Sequence, residues 1–376
     1  MTLRIGIDAH VLAGKMQGSR TWLVNIVARA VSRHPDATYV IYSDDPVRAA
    51  AAIAGANVEH RRLPRVPRSV RLLAVWPWLV HRDRIDALVT TYIAPPLVPG
   101  ARQAVVVHDI LFETHPAFFT WRMRWRNRLL TRLSARRARL VVTISGYSRD
   151  AIAKTYRIDP ARIAEVRCGT APPPTGGMGA GLIPDSRPYL LMVGRLEPRK
   201  NLALALDAFA RLPAGGSRLI VVGRADGERP ETLARLTAMA DVVHVAAIDD
   251  RGLGDLYAHA AALVFPSAGE GWGIPVLESL ALGTPVIASN VTAIPEAGGE
   301  AASYFDPAAP DRTERLADLM RAAVEGRLPF DAGLARAHVA RHDWDGPAAA
   351  FVDAMRRAFP ARDPAPAALP GLLRPQ

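Results

Sequence analysis

Along the chain, short runs of β-branched and other apolar residues alternate with longer stretches in which apolar positions recur every three or four residues. The runs have the length of buried strands and the stretches the period of amphipathic helices, so the alternation predicts parallel sheets covered by helices. In the first half it predicts strands at Leu3–Asp8, Thr38–Ser43, Asp86–Thr91, Gln103–Asp109 and Arg139–Ser145. In the second half it predicts strands at Tyr189–Gly194, Ser217–Gly223, Asp241–Ala246, Ala261–Ser267 and Thr284–Ser289. Between the two sets, Cys168–Pro188 (CGTAPPPTGGMGAGLIPDSRP) is too dense in proline and glycine for either element and reads as a linker. The expected architecture is therefore α/β, with two doubly wound Rossmann-like domains and a cleft between them. Its boundaries are a first domain at 1–170, the linker at 171–188, a second domain at 189–342, a closing helix at 343–358 and a tail at 359–376. The tail's proline, alanine and low charge predict disorder.

Composition agrees with two domains. At 376 residues the chain exceeds what one core usually organises, and an apolar share of 49% can fill two. No apolar run approaches the roughly 18 residues needed to span a bilayer. MTLRIGIDAH moves straight into a strand pattern without the zones of a secretion signal, so a cytoplasmic location is expected. The single cysteine, Cys168, leaves no internal disulfide or cysteine-built metal cluster to consider.

Charge changes the picture more than composition does. The net +11 is uneven: residues 1–180 hold 27 Lys/Arg against 12 Asp/Glu, and residues 181–376 hold 20 against 24. The basic residues of the first half concentrate in His60–Arg84 and Phe118–Leu140, where arginines are interleaved with Trp and Leu. Such a surface suits anionic lipid, phosphate or nucleic acid. A nucleic-acid-binding protein is one alternative, but the usual aromatic-basic recognition signatures are missing and the acidic second half would have no role, so no nucleic-acid partner is expected. A nicotinamide oxidoreductase should carry G-x-G-x-x-G after a strand, and neither half does.

The chemistry concentrates in Phe265–Asn290, FPSAGEGWGIPVLESLALGTPVIASN. A buried strand leads into a loop whose Gly269, Gly271 and Gly273 admit a ligand close to the backbone. Pro275 suits the first turn of a helix that Gly283 closes. Glu270 falls on the loop at the strand's carboxyl end, and Glu278 about one turn inside the helix. A helix amino terminus favours an anion, and carboxylates accept hydrogen bonds from sugar hydroxyls, so the stretch points to a nucleotide sugar.

EGWGIPVLE resembles the E-x7-E signature of the retaining glycosyltransferases of family 4 (group 1 glycosyltransferases), which have the GT-B fold, and ESLALGTPVIAS continues the likeness. The resemblance implies that Glu270 contacts the donor hexose and Glu278 the ribose, with Gly271, Trp272 and Gly273 forming the loop around the donor. MVGRLEPRKN is similar to the family's diphosphate-binding loop and makes Arg195 and Lys200 the cations; Arg199 is expected to be a solvated loop charge. With two cations on the leaving diphosphate, no metal and no cofactor beyond the nucleotide-sugar substrate are expected. In AVVVHDILFETHP the resemblance makes His108 a catalytic group facing the donor sugar from the first domain, with Asp109 orienting it and His115 structural. Gly18, in QGSRTW, is the candidate for the first-domain loop that approaches the donor phosphates, with Gly14 as second choice. VVTISGYSRDAI also matches, and Ser148 is expected to cap the helix after it. HDWDGPAAAFVDAMRRA resembles the segment in which a tryptophan, here Trp344, anchors a last helix returning to the first domain.

The implied activity is metal-independent, retaining transfer of a hexose of the mannose or glucose class. The donor would be a nucleotide sugar of the GDP-mannose or UDP-glucose type, and the acceptor a saccharide or lipid-linked saccharide in bacterial surface polysaccharide or lipopolysaccharide synthesis. A nucleotide-sugar epimerase of similar build is the alternative. Trp121, Arg122, Arg124, Trp125 and Arg126 are the candidate contacts with the acceptor or with an anionic membrane, which would make the protein peripheral at the inner face of the cytoplasmic membrane.

Overall fold

The structure is a computed structural model that describes residues 2–13, 18–177 and 186–360. It contains two sheets. The first has seven strands in the order β3-β2-β1-β4-β5-β6-β7: β1 Leu3–Asp8, β2 Ala37–Ser43, β3 Val58–Arg62, β4 Ala87–Thr91, β5 Gln103–Val106, β6 Leu140–Thr143 and β7 Ile163–Glu165. The second has six in the order β10-β9-β8-β11-β12-β13: β8 Tyr189–Val193, β9 Arg218–Val222, β10 Val242–Val245, β11 Ala262–Phe265, β12 Val286–Ser289 and β13 Ser303–Phe305. Helices connect the parallel neighbours, and the central strands are buried on both faces, which is why they read as unbroken apolar runs.

Three strands were not legible in the hydrophobic pattern: β3 (VEHRR), β7 (IAE) and β13 (SYF). All three lie at sheet edges. An edge strand pairs on one side only, so it needs no apolar run, and charge along it discourages pairing with other chains. Gln103–Asp109 also ends sooner than expected, with β5 stopping at Val106, so His108 and Asp109 stand on the loop beyond it.

By density of internal contacts the chain divides into two compact units. One comprises Met1–Val106, Ser134–Val141 and the chain from Ala348 onward; the other comprises Val107–Leu133 and Val142–Pro347. In the first, Trp22 packs edge-on against Phe351 of the helix Asp345–Ala358, with ring centroids 6.3 Å apart. In the second, the core is built from β8, β9, β11 and β12 against the helices Leu202–Phe209 and Arg312–Val324. Strand order in the second sheet reverses direction between β8 and β11, and the loops leaving the carboxyl ends of those two strands open into the crevice where open α/β sheets hold ligands.

Candidate active site

Both loops at that switch point carry residues singled out in the sequence. After β8 the chain passes Gly194 and Arg195 and makes a short turn at Pro198–Lys200. Gly194 has φ +143°, and a Cβ there would lie 3.3 Å from Cε of Lys200, so the glycine lets the lysine fold back over the strand end. After β11 the chain runs through Glu270 to Gly273 and enters the helix Ile274–Ala281 with Pro275 in its first turn. Glu278 is one turn into that helix.

The two loops meet through Glu270. Lys200 Nζ donates to Glu270 Oε1 at 2.6 Å, and Arg199 pairs with the other carboxylate oxygen. Arg199 also donates to the Gly269 carbonyl at 2.6 Å and to Glu197 Oε1 at 2.5 Å. Glu197 lies 3.7 Å from Arg195, whose guanidinium donates to Asp226 Oδ2 at 2.7 Å. The result is a chain of alternating charge, Lys200–Glu270–Arg199–Glu197–Arg195–Asp226. Lys200 also stands over the Phe265 ring, 5.0 Å from its centroid. Arg199, expected as a solvated loop charge, is instead half-buried, its guanidinium held between two carboxylates and a carbonyl. Sequence gave no sign of this, because a loop arginine next to a lysine looks the same whether it points out or in.

Burial alone would push the Glu270 carboxyl up, but Arg199 and Lys200 outweigh it and hold the group at about 2. Burial lowers the Lys200 ammonium from its ordinary value, with Glu270 opposing the shift. The site therefore presents a fixed carboxylate between two cations in a low-dielectric setting, where each charge acts strongly on whatever group is brought beside it.

His108 is buried, and burial lowers its imidazole to about 4, so it is neutral near pH 7. Its neighbour Asp109 reaches the Glu270 loop: a Cβ on Gly271 would lie 2.9 Å from Asp109 Oδ2, so only glycine fits there without displacing the carboxylate. Asp109 also accepts the Leu111 N–H at 3.0 Å, and burial raises its carboxyl while Arg199 pulls it back down. His115 approaches Gly269, and its Nδ1 contacts Thr114 Oγ1 at 2.9 Å.

Glu278 has a partner of its own. The buried Tyr257 hydroxyl donates to Glu278 Oε2 at 3.0 Å, leaving Oε1 for another donor. Burial lifts the Glu278 carboxyl to about 7, against the lowering effect of that hydrogen bond. Tyr257 was missed in the sequence, where it reads as one more apolar position of the helix Asp250–His259. Trp272 turns inward: its indole is buried, 5.9 Å from the His342 ring, and what it offers the loop is backbone.

Several other positions serve local structure. Ser145, not Ser148, caps the helix Gly146–Tyr156, since Ser145 Oγ accepts the Ser148 N–H at 3.1 Å. Two more amides at that helix start donate to Glu296, at 2.9 and 2.7 Å, a carboxylate 150 residues away that no local pattern could pair with them. Trp344 is buried, in keeping with an anchor. Gly18 is exposed at the start of the helix Gly18–Arg33, and Gly14 lies outside the described residues.

Trp121–Arg137 is one helix with seven arginines and no acid. Trp121, Trp125 and Leu129 are 66, 63 and 67% exposed, and Leu133 is exposed as well. Their four-residue spacing puts them along one side, so the apolar stripe faces outward rather than into a core. Arg122 and Arg128 lie over the Trp121 and Trp125 rings, and Arg128 reaches Glu113 at 3.4 Å. Among the described residues no helix is long and apolar enough to cross a membrane, and no group of three or more His, Cys, Asp or Glu is placed to hold a metal ion.

Two family models match the chain: Glycosyltransferase Family 4 over residues 16–172 and Glycosyl transferases group 1 over residues 178–331. The chain is 29% identical over 265 residues to O-antigen chain mannosyltransferase B of Escherichia coli, an alignment covering 66% of this chain and 68% of that protein. It is 30% identical over 222 residues to O-antigen chain mannosyltransferase RfbU of Salmonella typhimurium, covering 58% of this chain and 60% of that one. Among solved structures it superposes on sucrose-phosphate synthase from Thermosynechococcus elongatus with a TM-score of 0.72 at 17% identity, over 95% of this chain and 99% of that one, a likeness of fold. With the two models meeting at the linker and the switch-point loops holding the paired acids and cations, the chain belongs to the group 1 glycosyltransferases of family 4, retaining hexosyltransferases of GT-B fold that draw on a nucleotide-sugar donor.

Proposed function

We propose that the chain transfers mannose, from a donor of the GDP-mannose type, to a lipid-linked saccharide in the building of a surface polysaccharide. The observation that carries the donor-site assignment is the meeting of the Arg195–Lys200 loop with the Glu270 loop at the switch point of the second sheet, with Glu278 one helical turn beyond. Arg195 and Lys200 take the diphosphate. The leaving group gains negative charge as the sugar–phosphate bond lengthens, and two fixed cations offset that charge without a metal ion. Glu270 reads the hexose hydroxyls, Arg199 holds the carboxylate in place, and the backbone of Gly271–Gly273 lies close to the donor. Oε1 of Glu278 accepts from the ribose while Tyr257 holds Oε2. His108, neutral, offers a lone pair to a sugar hydroxyl or to the positive charge growing on the ring. The donor is held by the domain at 189–342, Gly18 is the candidate donor-loop glycine of the domain at 1–170, and the helix at 343–358 returns to that first domain.

Mannose is favoured over glucose by the two bacterial relatives, which are mannosyltransferases of the O-antigen chain. The lipid-linked acceptor is favoured by the helix Trp121–Arg137. Its exposed Trp and Leu stripe, with arginines and no acid, suits the headgroup layer of an anionic membrane, with Trp121 and Trp125 entering it and Arg122, Arg124 and Arg126 meeting phosphates. The test is a thermal-shift and transfer screen with GDP-mannose, UDP-glucose and their free nucleotides, with and without a chelator, since a ligand of the native state raises its melting temperature. GDP-mannose should stabilise the protein and be turned over at the same rate in chelator. Stabilisation by the UDP series alone would move the assignment to glucose, and no shift with any nucleotide would end the donor-site reading.

A further inference from the structure

The donor loops leave the carboxyl ends of strands in the second sheet, and a second feature sits at the amino ends of interior strands in the first sheet. There the residues entering β1, β4, β5 and β6, the end of the helix Trp76–Arg82 and Ala358–Pro360 line an open cavity of about 1090 Å³. Every residue lining it belongs to one compact unit. Its floor is apolar, with Leu3, Val80 and Phe359 buried.

Its walls are strongly basic. Arg4 and Arg82 are already committed: Arg4 to Glu59 at 2.9 Å and Arg82 to Asp83 at 2.7 Å. Arg84, Arg102 and Arg139 line the same cavity, and their backbone amides are hydrogen-bonded, but none of the three guanidiniums has a hydrogen-bond or ion-pair partner among the described residues. The one carboxylate in the lining, Asp86, accepts the Arg4 backbone N–H at 3.1 Å. Arg84 also has φ +52°, a left-handed conformation that favours glycine or asparagine, yet the position holds an arginine at the cavity. Three arginines lining one hollow, with guanidinium donors to spare, match the oxygens of phosphate. The hollow is far larger than one phosphate and falls at the upper end of small-molecule sites, which run to about 1,000 Å³.

We propose that this cavity is a second anion site, separate from the donor site, that takes a phosphate monoester or diphosphate whose apolar or ring-bearing remainder lies on the Leu3–Val80–Phe359 floor. The phosphate belongs either to a soluble phosphorylated compound or to a phospholipid headgroup, and the two sources can be told apart. Hydrogen–deuterium exchange of the full chain would be followed with sodium pyrophosphate and, separately, with vesicles of phosphatidylglycerol in phosphatidylcholine. Exchange should slow in residues 80–86 and 100–104. In Arg84→Gln/Arg102→Gln/Arg139→Gln the half-saturating concentration should rise at least tenfold, while pyrophosphate still protects residues 194–201, which reports an intact fold and an intact donor loop. A single Arg139→Gln variant, expected to weaken binding by about threefold, covers the case in which the triple variant folds poorly. Protection by pyrophosphate identifies a soluble ligand; protection by vesicles alone identifies the headgroup. Protection by neither overturns the proposal. So does equal weakening in an Arg211→Gln/Arg235→Gln/Arg327→Gln control, which would mean that net charge alone was being read.

Discussion

The arginines of the helix Trp121–Arg137 and those of the switch-point loops are the same residue put to opposite uses. On the helix they are spread over a surface with no acid of its own, beside exposed tryptophans. At the switch point Arg199 is half-buried between Glu270 and Glu197, and Arg195 is tied to Asp226. Exposed cations act by long-range attraction, weakened by salt, whereas paired and buried ones act by position. The first arrangement suits a broad anionic surface and the second a single small ligand.

The comparison is most sharply broken at Lys200. Replacing it with Ala removes one of two proposed diphosphate cations and leaves Glu270 to Arg199 alone; kcat should fall about 10²–10³-fold, as for loss of one oxyanion donor, measured as hexose transfer. A kcat within threefold of the parent would show that Lys200 only balances Glu270.

Next in size is the outward stripe. Trp121→Ser/Trp125→Ser/Leu129→Ser should weaken partitioning onto phosphatidylglycerol vesicles by more than tenfold, with stability changed by only about 0.5 kcal/mol because the side chains are exposed. Salt should mimic the loss of vesicle binding while leaving donor binding nearly unchanged. A large drop in melting temperature would instead mean that the stripe is covered by the protein itself.

Smaller, but diagnostic, is the pH dependence set by Glu278. Burial raises its carboxyl from the ordinary glutamate value to about 7, so the group is protonated below pH 7 and becomes a charged acceptor above it. Donor KM should therefore fall as pH rises through 7 and then level off. Tyr257→Phe removes the hydrogen bond that lowers this value, so the inflection should move upward with a KM increase of about threefold to tenfold, and kcat should change less than KM. The linkage to stability has the same origin: a raised folded value favours the fold below the unfolded value and loses that contribution as pH rises through the folded one. Glu278→Gln should accordingly flatten the melting temperature between about pH 4.5 and 7. An unchanged pH profile in Tyr257→Phe would separate the tyrosine from the carboxylate's function.

The smallest effect expected is at Gly271, where Ala would place a Cβ 2.9 Å from Asp109 Oδ2. Relieving that overlap should cost about 1–3 kcal/mol, read as a lower urea midpoint. No change would show that Asp109 can swing aside and that the loop does not depend on its position.

Sequence alone determined the central strands, the positions of both glutamates on their loop and helix, and the basic loop with Arg195 and Lys200. These depend on local causes: apolar runs for strands buried on both faces, proline and glycine at helix ends, and motif spacing along one segment. Only the tertiary structure decided which charges meet. Arg199 inside rather than outside, Tyr257 beneath Glu278, Glu296 on a distant helix start, and three arginines around one hollow whose guanidiniums have no partner among the described residues all join residues far apart in the chain. The same folding also lets β3, β7 and β13 pair at sheet edges without an apolar run, because an edge strand is held by its one neighbour, and which strand becomes that neighbour is fixed only once the sheet has assembled.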